Sequence, residues 1–314
     1  MRILLAPMEG LLDFLLRDTI TRVGGIDICV SEFIRINNSL LPSKRFFHVV
    51  PELFNRCHTA AGVPVRIQIL GSDPICMAEN ASKIASLGAY GIDINFGCPA
   101  PTVNRNRGGA ILLKDPELMY KIVKAVRSAV PKEIPITAKM RLGYDSPEHA
   151  LTCAEALVNG GAEEIVVHAR TKVDGYKPPA YWDWIAKIKQ IVKIPIIANG
   201  EIWNSEDAKK CQNVSGCSDL MIGRGMISNP ALALLIKEKR TLPLPWIEIL
   251  ALIKSYSIAM EDGTRVNNPS GRIKQWLQYL RREYKEADKS FEFIKKIKEP
   301  NELLNLLQGT SLYY

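Results

Sequence analysis

The sequence has few of the features that mark secreted, membrane or metal-binding proteins. Its 314 residues include seven scattered cysteines, an odd number, with no C-x-x-C pair and no Cys/His spacing suited to zinc. The apolar runs end well before the roughly 20 residues of a membrane-spanning helix, and the apolar stretch after Met1 is too short for a signal peptide. We therefore expect no disulfide framework, no metal and no membrane association, and we expect a cytoplasmic protein.

Acidic residues are in the minority. The chain has 41 Lys and Arg against 33 Asp and Glu, a formal charge of +8, which favours a polyanionic partner. Ten Lys or Arg and four Asp or Glu fall between Arg265 and Lys298. That stretch is either the solvated face of a small bundle or a nucleic-acid surface. Hydrophobic residues make up 47% of the chain, which excludes a disordered segment.

Short β-branched runs alternate with longer stretches of helical periodicity. The predicted strands are continuous apolar runs, typical of a parallel sheet buried on both faces. Eight such β-α units within about 230 residues predict a (β/α)8 TIM barrel. The predicted strands are 3–6, 28–31, 65–70, 91–95, 136–140, 164–168, 196–199 and 220–223.

The β-α rhythm stops after Asn229-Pro230, and a Pro-rich spacer follows at 242–245. The remaining sequence predicts an all-α bundle with helices at 245–259, 268–282, 290–297 and 301–307. We accordingly predict a barrel domain over residues 1–241 and a small helical domain over residues 242–314.

Functional groups of such barrels follow the carboxyl ends of the strands, where this sequence is rich in polar residues. Barrels often bind phosphate at the loops after their last two strands, which here carry glycines beside Arg224. The residues at strand ends are Pro7, Met8, Glu9, Gln68, Asn95, Cys98, Lys139, Arg141, His168, Asn199, Gly200, Glu201, Gly223, Arg224 and Gly225.

Three of these residues suggest redox chemistry. Gln68 offers donors and acceptors that suit the pyrimidine edge of a flavin, and Lys139 would stabilise negative charge on a reduced flavin. Taken singly, the two also fit a core glutamine and a snorkelling lysine. Cys98 follows its strand directly, so its thiol would lie at the mouth of the barrel as a nucleophile or an acid. No activating histidine lies near it in sequence, which favours the acid.

The ordered motifs resemble those of the tRNA-dihydrouridine synthases, flavin enzymes that reduce uridines in the tRNA D-loop. The similarity is carried by A-P-M-E-G, I-Q-I-L-G-S, N-F-G-C-P, K-M-R-L-G, V-H-A-R-T, A-N-G-E-I and I-G-R-G, which begin at residues 6, 67, 95, 139, 167, 198 and 222. Within the family, the sequence most resembles the bacterial members that act on uridine 16.

The resemblance implies FMN across the barrel mouth and NADPH as its reductant. Hydride would pass to C6 of the uracil, and Cys98 would supply the proton to C5. The implied FMN contacts are Pro7, Met8, Glu9, Gln68, Lys139, His168, Asn199, Gly200, Glu201, Gly223, Arg224 and Gly225. The implied tRNA contacts are Arg35, Asn95, Arg141, Tyr176, Arg272, Lys274, Tyr279 and Lys295.

Two other functions are open on the sequence. A small-molecule FMN enzyme of the dihydroorotate-dehydrogenase type would share the barrel lysine and the acid, but it has no evident need for a basic helical appendage. A tRNA-binding protein with an inactive barrel would need neither Cys98 nor Lys139. The chain has no recognisable dimerisation stripe, so we expect a monomer.

Overall fold

The computed structural model describes residues 1–261 and 268–309. Arg265, one of the basic residues counted above, therefore lies outside the described residues. The strands of the sheet are all parallel, and each is buried along nearly its whole length. They are β1 (Ile3–Leu5), β2 (Ile28–Val30), β3 (Ile34–Arg35), β4 (Val65–Leu70), β5 (Ile92–Phe96), β6 (Ile136–Arg141), β7 (Glu164–His168), β8 (Ile196–Asn199) and β9 (Leu220–Ile222).

The sheet closes on itself. Its order is β2-β1-β9-β8-β7-β6-β5-β4-β3, and β2 also pairs with β4. This closure confirms the predicted TIM barrel, and the predicted strands agree with the observed ones to within one residue at either end. The continuous apolar runs predicted the strands correctly because both faces of every strand are covered, one by the barrel interior and one by the helices.

The two-residue strand β3 is absent from the sequence prediction. Both β2 and β3 pair with β4, with Val30 opposite Arg66 and Ile34 opposite Ile69. The four residue steps from Val30 to Ile34 thus match three steps on β4. One extra residue is therefore inserted between β2 and β3, as in a β-bulge. The insertion turns Phe33 towards the barrel mouth, where it lines the main cavity.

The helices surround the barrel. In α5, Asp115 caps the first turn by accepting from the amide of Leu118, and Met119, Ile122 and Val126 on one face are buried. The barrel helices are α1 (Phe14–Thr21), α2 (Ser43–Val49), α3 (Pro74–Ser86), α4 (Pro101–Arg105), α5 (Pro116–Ala129), α6 (Ala150–Gly160), α7 (Trp182–Ile191), α8 (Ser205–Ser215), α9 (Arg224–Ser228) and α10 (Leu232–Ile236), with 3-10 turns at Pro51–Asn55 and Gly109–Lys114.

The C-terminal part of the chain is helical, as predicted. Its helices are α11 (Trp246–Glu261), α12 (Pro269–Leu280), α13 (Lys285–Ile294) and α14 (Pro300–Gly309). The predicted helix at 290–297 was wrong in its bounds, because α13 begins five residues earlier and ends three earlier. The buried face of α13 includes Ala287 and Ser290, which are too small to produce an apolar periodicity in the sequence. None of the described helices is long and apolar enough to cross a membrane.

The helical part packs tightly on the barrel. The indole of Trp276 in α12 is fully buried, and its Nε1 donates to the carbonyl oxygen of Ile227 at 3.1 Å. Tyr256 of α11 meets the same indole edge to face, with ring centroids 5.7 Å apart. One apolar cluster runs from the outer surface of the barrel into α11, α12, α13 and α14. The two parts therefore share a continuous core.

This shared core predicts that the two parts unfold together. Trp276→Ala should lower the free energy of unfolding by about 3–5 kcal/mol, because it leaves a large cavity at the junction. Urea denaturation followed by circular dichroism measures the loss. Phe293→Ala in α13 is the control, because that ring is 69% exposed and should change stability little. Equal losses in the two variants, or a separate transition for the helical part, would contradict the shared core.

Candidate active site

A cavity of about 700 Å³ opens at the carboxyl ends of the barrel strands. It brings together every residue that the sequence predicts for catalysis or cofactor binding, together with four of the predicted substrate contacts. The lining includes Pro7, Met8, Glu9, Gln68, Asn95, Cys98, Lys139, Arg141, His168, Tyr176, Asn199, Gly200, Glu201, Gly223, Arg224, Gly225 and Tyr279.

Cys98 lies in a loop that is held from both sides. The side-chain oxygen of Asn95 accepts from the backbone amides of Gly97 and Cys98, each at 2.9 Å. The carbonyl oxygen of Cys98 accepts from Asn104 Nδ2 at 2.9 Å and from the amide of Ala110 at 3.0 Å. Burial raises the pKa of the Cys98 thiol, so this side chain enters the cavity as a protonated group at neutral pH.

Lys139 projects from β6 towards the cavity. Its Nζ donates to Asn199 Oδ1 at 3.2 Å, and Asn199 in turn donates to the carbonyl oxygen of Met221 at 2.8 Å. Burial, together with the nearby Arg141, lowers the pKa of Lys139 to about 8. An anion in the cavity would relieve both effects, because it would compensate the ammonium charge.

Arg141 and His168 form the wall beside Lys139. The guanidinium of Arg141 donates to the carbonyl oxygens of Gly97, Thr171 and Gly175, each at 2.9 Å. It thereby ties the Cys98 loop to the loop that follows β7. Burial and the charges of Arg141 and Lys139 hold the pKa of His168 well below its ordinary value, so the imidazole is neutral.

The rim of the cavity is a stack of cations and aromatic rings. The Arg224 guanidinium lies 4.9 Å from the ring centroids of both Tyr176 and Trp203. Arg282, which belongs to the helical part and lies in the turn after α12, is 3.8 Å from the Trp203 ring centroid. Glu201 holds Trp203 in place by accepting from its Nε1 at 2.8 Å.

The carboxylate of Glu201 is already paired. It accepts from the fully buried Arg170 and lies 3.6 Å from Arg224. Burial alone would raise the pKa of Glu201, but the hydrogen bonds from Arg170 and Trp203 outweigh it and the net shift is downward. Glu201 therefore contributes a charged, immobilised carboxylate to the rim, although the sequence predicts it as a cofactor contact.

The loops after β8 and β9 carry the predicted phosphate site. Gly200 has a φ of +124°, which favours glycine, and a side chain there would meet His168 Cδ2 at 3.0 Å. Gly225 lacks a side chain for another reason, because a Cβ would meet the carbonyl oxygen of Ile202 at 2.2 Å. Gly225 thus permits close packing of α9 on the barrel, while Gly200 shapes the cavity itself.

The loop after β1 is clamped by the helical part. Arg272 donates to the carbonyl oxygens of Gly10 and Leu11 and to the carboxylate of Asp13. Gln275, one turn further along α12, donates to the Gly10 oxygen at 2.9 Å and lines the cavity. The helical part is therefore one wall of the site.

Four predicted substrate contacts lie outside the cavity lining. Arg35 projects near α4, with its Nη2 3.5 Å from the carbonyl oxygen of Thr102. Lys274 donates to the carbonyl oxygens of Lys295 and Ile297 and so caps the end of α13, while the Lys295 ammonium pairs with Glu292. Arg272 is committed to the β1 loop as described above.

Three aromatic or polar residues of the cavity lining are absent from the sequence prediction, namely Phe33, Trp203 and Gln275. Phe33 depends on the inserted residue between β2 and β3, for which the sequence has no signal. Trp203 follows the A-N-G-E-I motif directly, and Gln275 lies one helical turn before Tyr279. The last two positions could have been found from their spacing to predicted residues.

The site has the size and charge of a cofactor pocket. A volume of about 700 Å³ falls within the roughly 300–1,000 Å³ typical of cofactor and ligand sites. Lys139, Arg141 and Arg224 face it, whereas the carboxylate of Glu201 is paired, so an anionic ligand is favoured. Within residues 1–261 and 268–309, no group of three or more His, Cys, Asp or Glu could hold a metal ion.

The fold and the site define an α/β-barrel enzyme whose cavity mouth carries three cationic side chains and a protonated thiol. The sequence model of the family described as dihydrouridine synthase matches residues 4–312. The chain belongs to the dihydrouridine synthase family, whose members are oxidoreductases.

Curated relatives are similar over nearly their whole length. The tRNA-dihydrouridine(16) synthase of Pseudomonas syringae pv. tomato is 53% identical over 301 residues, which cover 94% of this chain and 95% of that protein. The tRNA-dihydrouridine(16) synthase of Aquipseudomonas alcaligenes is 50% identical over 311 residues, with 98% and 99% coverage.

A solved structure shares the fold. The 2-naphthoyl-CoA reductase complex with 2-naphthoyl-CoA superposes with a TM-score of 0.58 at 14% identity, over 76% of this chain and 50% of that chain. At this identity the likeness concerns the fold alone.

Glu9, which lines the cavity mouth, predicts a pH-dependent stability. Burial, together with the neighbouring Glu32, raises the pKa of Glu9 to about 7. Ionisation is easier in the unfolded chain, so this carboxyl destabilises the fold increasingly as pH rises from about 4.5 to about 7. Glu9→Gln should therefore raise the thermal midpoint at pH 8 but leave it nearly unchanged at pH 4.5.

Thermal unfolding of the two proteins at a series of pH values measures the difference. Glu79→Gln, at an exposed position of α3, is the matched control and should show no such trend. A difference between Glu9→Gln and the wild type that does not change with pH would argue against the raised pKa.

Proposed function

We propose that this protein reduces uridine 16 of tRNA to dihydrouridine, with FMN as its cofactor and NADPH as the reductant. The similarity to tRNA-dihydrouridine(16) synthases at 44–54% identity supports the reaction and the target position. The observation that carries the chemistry is the cavity that places the Cys98 thiol in one wall with Lys139, Arg141 and Arg224.

The residues of the cavity fit FMN. Gly223 leaves a space beside Met8, since a Cβ there would approach Met8 Sδ to 3.2 Å. Gly223 and Gly225, where the backbone is uncovered by side chains, line the cavity beside the guanidinium of Arg224, and together they would hold the phosphate. Gln68 and Lys139 would hold the polar edge of the ring. When bound, FMN accepts hydride from NADPH and delivers it to C6 of the uracil.

Cys98 supplies the proton that completes the reduction. The S–H bond of the thiol breaks as the new C–H bond forms at C5 of the uracil, leaving a thiolate. The positive charges of Arg141 and Lys139 favour that thiolate, whereas burial disfavours it. The balance keeps the thiol protonated before the reaction and stabilises the product charge after it.

The base has to leave its stack to reach the cavity. We assign its edge to Asn95 and Arg141 and its approach to Tyr176 and Tyr279, which line the cavity from the loop after β7 and from α12. We assign the surface residues Arg35, Lys274 and Lys295 to the tRNA backbone. Arg272 holds the loop after β1, so we propose that it acts on tRNA binding indirectly, through the position of that loop.

The wider organisation follows from this function. We propose that residues 1–241 form the catalytic domain and residues 242–314 the tRNA-binding domain, which also closes one side of the cavity through Gln275 and Tyr279. We propose a cytoplasmic monomer.

The first experiment maps the product. The purified protein, loaded with FMN, is incubated with NADPH and unmodified tRNA, and dihydrouridine is located by position in the recovered tRNA. We expect product at uridine 16. Product at another D-loop uridine would keep the reaction but reject the position, and a reduced flavin without any modified uridine would favour the small-molecule alternative.

The role of Cys98 predicts a split between two half-reactions. Cys98→Ala should bind FMN and be reduced by NADPH at the wild-type rate, because neither step needs the thiol proton. Uridine reduction should fall by about 100-fold or more, the size of a typical general-acid contribution. Stopped-flow flavin absorbance and single-turnover tRNA assays measure the two steps. Cys76→Ala, on α3, is the control, and full turnover by Cys98→Ala would reject the acid role.

A further inference from the structure

A buried carboxylate lies beneath the Cys98 loop, on the strand that leads into it. Asp93 of β5 is 1% exposed and faces the barrel interior. Its Oδ1 accepts from Thr137 Oγ1 at 2.7 Å, and its Oδ2 accepts from Gln68 Nε2 at 2.7 Å. Both partners donate, which favours the ionised carboxylate together with the charges of Arg66 and Lys139, whereas burial raises the pKa of Asp93.

The hydrogen bonds continue from Asp93 to the catalytic loop in one direction. Gln68 Oε1 accepts from Asn95 Nδ2 at 2.8 Å, and Asn95 Oδ1 accepts from the amides of Gly97 and Cys98. A carboxylate only accepts, so the amino end of Gln68 must face Asp93 and its oxygen is left for Asn95. Because Asn95 donates to Gln68 through its amino group, its oxygen faces the backbone amides of Gly97 and Cys98.

The strand register makes this chain possible. Gln68 and Asp93 are opposite each other on β4 and β5, and Asp93 and Asn95 are two residues apart on one strand. Since side chains alternate between the faces of a strand, the three polar groups share the inner face. The interior of such barrels is ordinarily filled by Val, Ile and Leu.

We propose that Asp93 is a positioning residue for the acid Cys98. Asp93, Gln68 and Asn95 form a chain of three hydrogen-bonded side chains that we call the Asp93 relay. The carboxylate of Asp93 fixes the direction in which the side-chain amides of Gln68 and Asn95 point, and Asn95 in turn holds the backbone amide of Cys98. The relay sets where the thiol enters the cavity. The inference rests on the proposed function, because Cys98 is the acid of that reaction.

Asp93→Asn tests the relay. A carboxylate admits one direction for Gln68, whereas the new amide admits two. When its amino group faces Gln68, Gln68 turns around and donates to the oxygen of Asn95. The Gly97 and Cys98 amides then lose their acceptor, and the loop is released. The rate at which iodoacetamide alkylates Cys98 in the folded holoenzyme should rise about threefold or more, because reactivity follows the exposure of the thiol. Mass spectrometry of the Cys98 peptide measures it.

Two internal references separate the relay from a general loosening of the barrel. Alkylation of Cys76, on α3 outside the cavity, should not change in the same sample. Thr137→Val removes the other hydrogen bond to Asp93 but leaves the carboxylate as an acceptor, so Cys98 should keep its wild-type rate. An unchanged Cys98 rate in Asp93→Asn, or an equal rise in Thr137→Val, overturns the proposal.

A second variant interrupts the relay at its centre. Gln68→Met keeps the volume of the side chain and the Asp93 carboxylate but removes the amide. Because Gln68 is also a proposed FMN contact, the proteins are compared without FMN as well as with it. Gln68→Met should raise the alkylation rate of Cys98 in both forms, as Asp93→Asn does, and it decides the matter if Asp93→Asn does not fold. An unchanged rate in Gln68→Met would overturn the proposal.

The uridine reaction supplies the last comparison. Displacing the thiol by about 1 Å should lower the single-turnover rate of uridine reduction by roughly 100-fold. Failure of the proposed function is recognised separately, because the wild-type protein would then modify no uridine, and failure of the acid role is recognised because Cys98→Ala would retain uridine reduction. Failure of the relay alone would leave Cys98→Ala inactive while Asp93→Asn kept both the wild-type alkylation rate and full turnover.

Discussion

The cost of burying positive charge governs the architecture of this site. Arg141 and Arg170 are almost completely buried at the ends of β6 and β7, where unpaired cations would be strongly destabilising. Arg141 is compensated by three carbonyl oxygens, and Arg170 by Glu201. Each compensation also holds a loop of the cavity. Lys139 donates to one neutral acceptor, Asn199, and burial together with Arg141 lowers its pKa more than the nearby Asp93 raises it. An anionic ligand beside Lys139 would complete the compensation of its charge.

A second consequence is that the barrel and the helical part form one functional unit. Arg272 and Gln275 hold the β1 loop, Arg282 lies over Trp203, and Trp276 fills the junction. A helical appendage that only bound nucleic acid would not need these contacts. The helices are therefore linked directly to the wall of the cavity, through side chains rather than through a flexible spacer.

The sequence was most informative where burial and chemistry coincide. The eight continuous apolar runs predicted the barrel, because strands covered on both faces need apolar residues at every position. The polar residues at their ends predicted most of the polar lining of the cavity, since parallel strands bring their carboxyl ends to one edge. The side chains of Arg35, Arg272, Lys274 and Lys295 lie outside the cavity lining, and their predicted contacts with tRNA stay predictions. A basic residue on a surface helix carries no sequence signal for the partner it contacts.

By itself, the sequence determined the fold class, the order of the elements and the set of polar groups at the mouth, because these depend on local periodicity and on the strand ends. Only the tertiary structure decided the direction in which those groups point. The inserted residue before β3 brings Phe33 to the mouth, and the register of β4 with β5 places Gln68 against Asp93. Gly225 is required by the oxygen of Ile202, 23 residues earlier in the chain. Such pairings between distant residues arise from the closure of the sheet, and no local pattern encodes them.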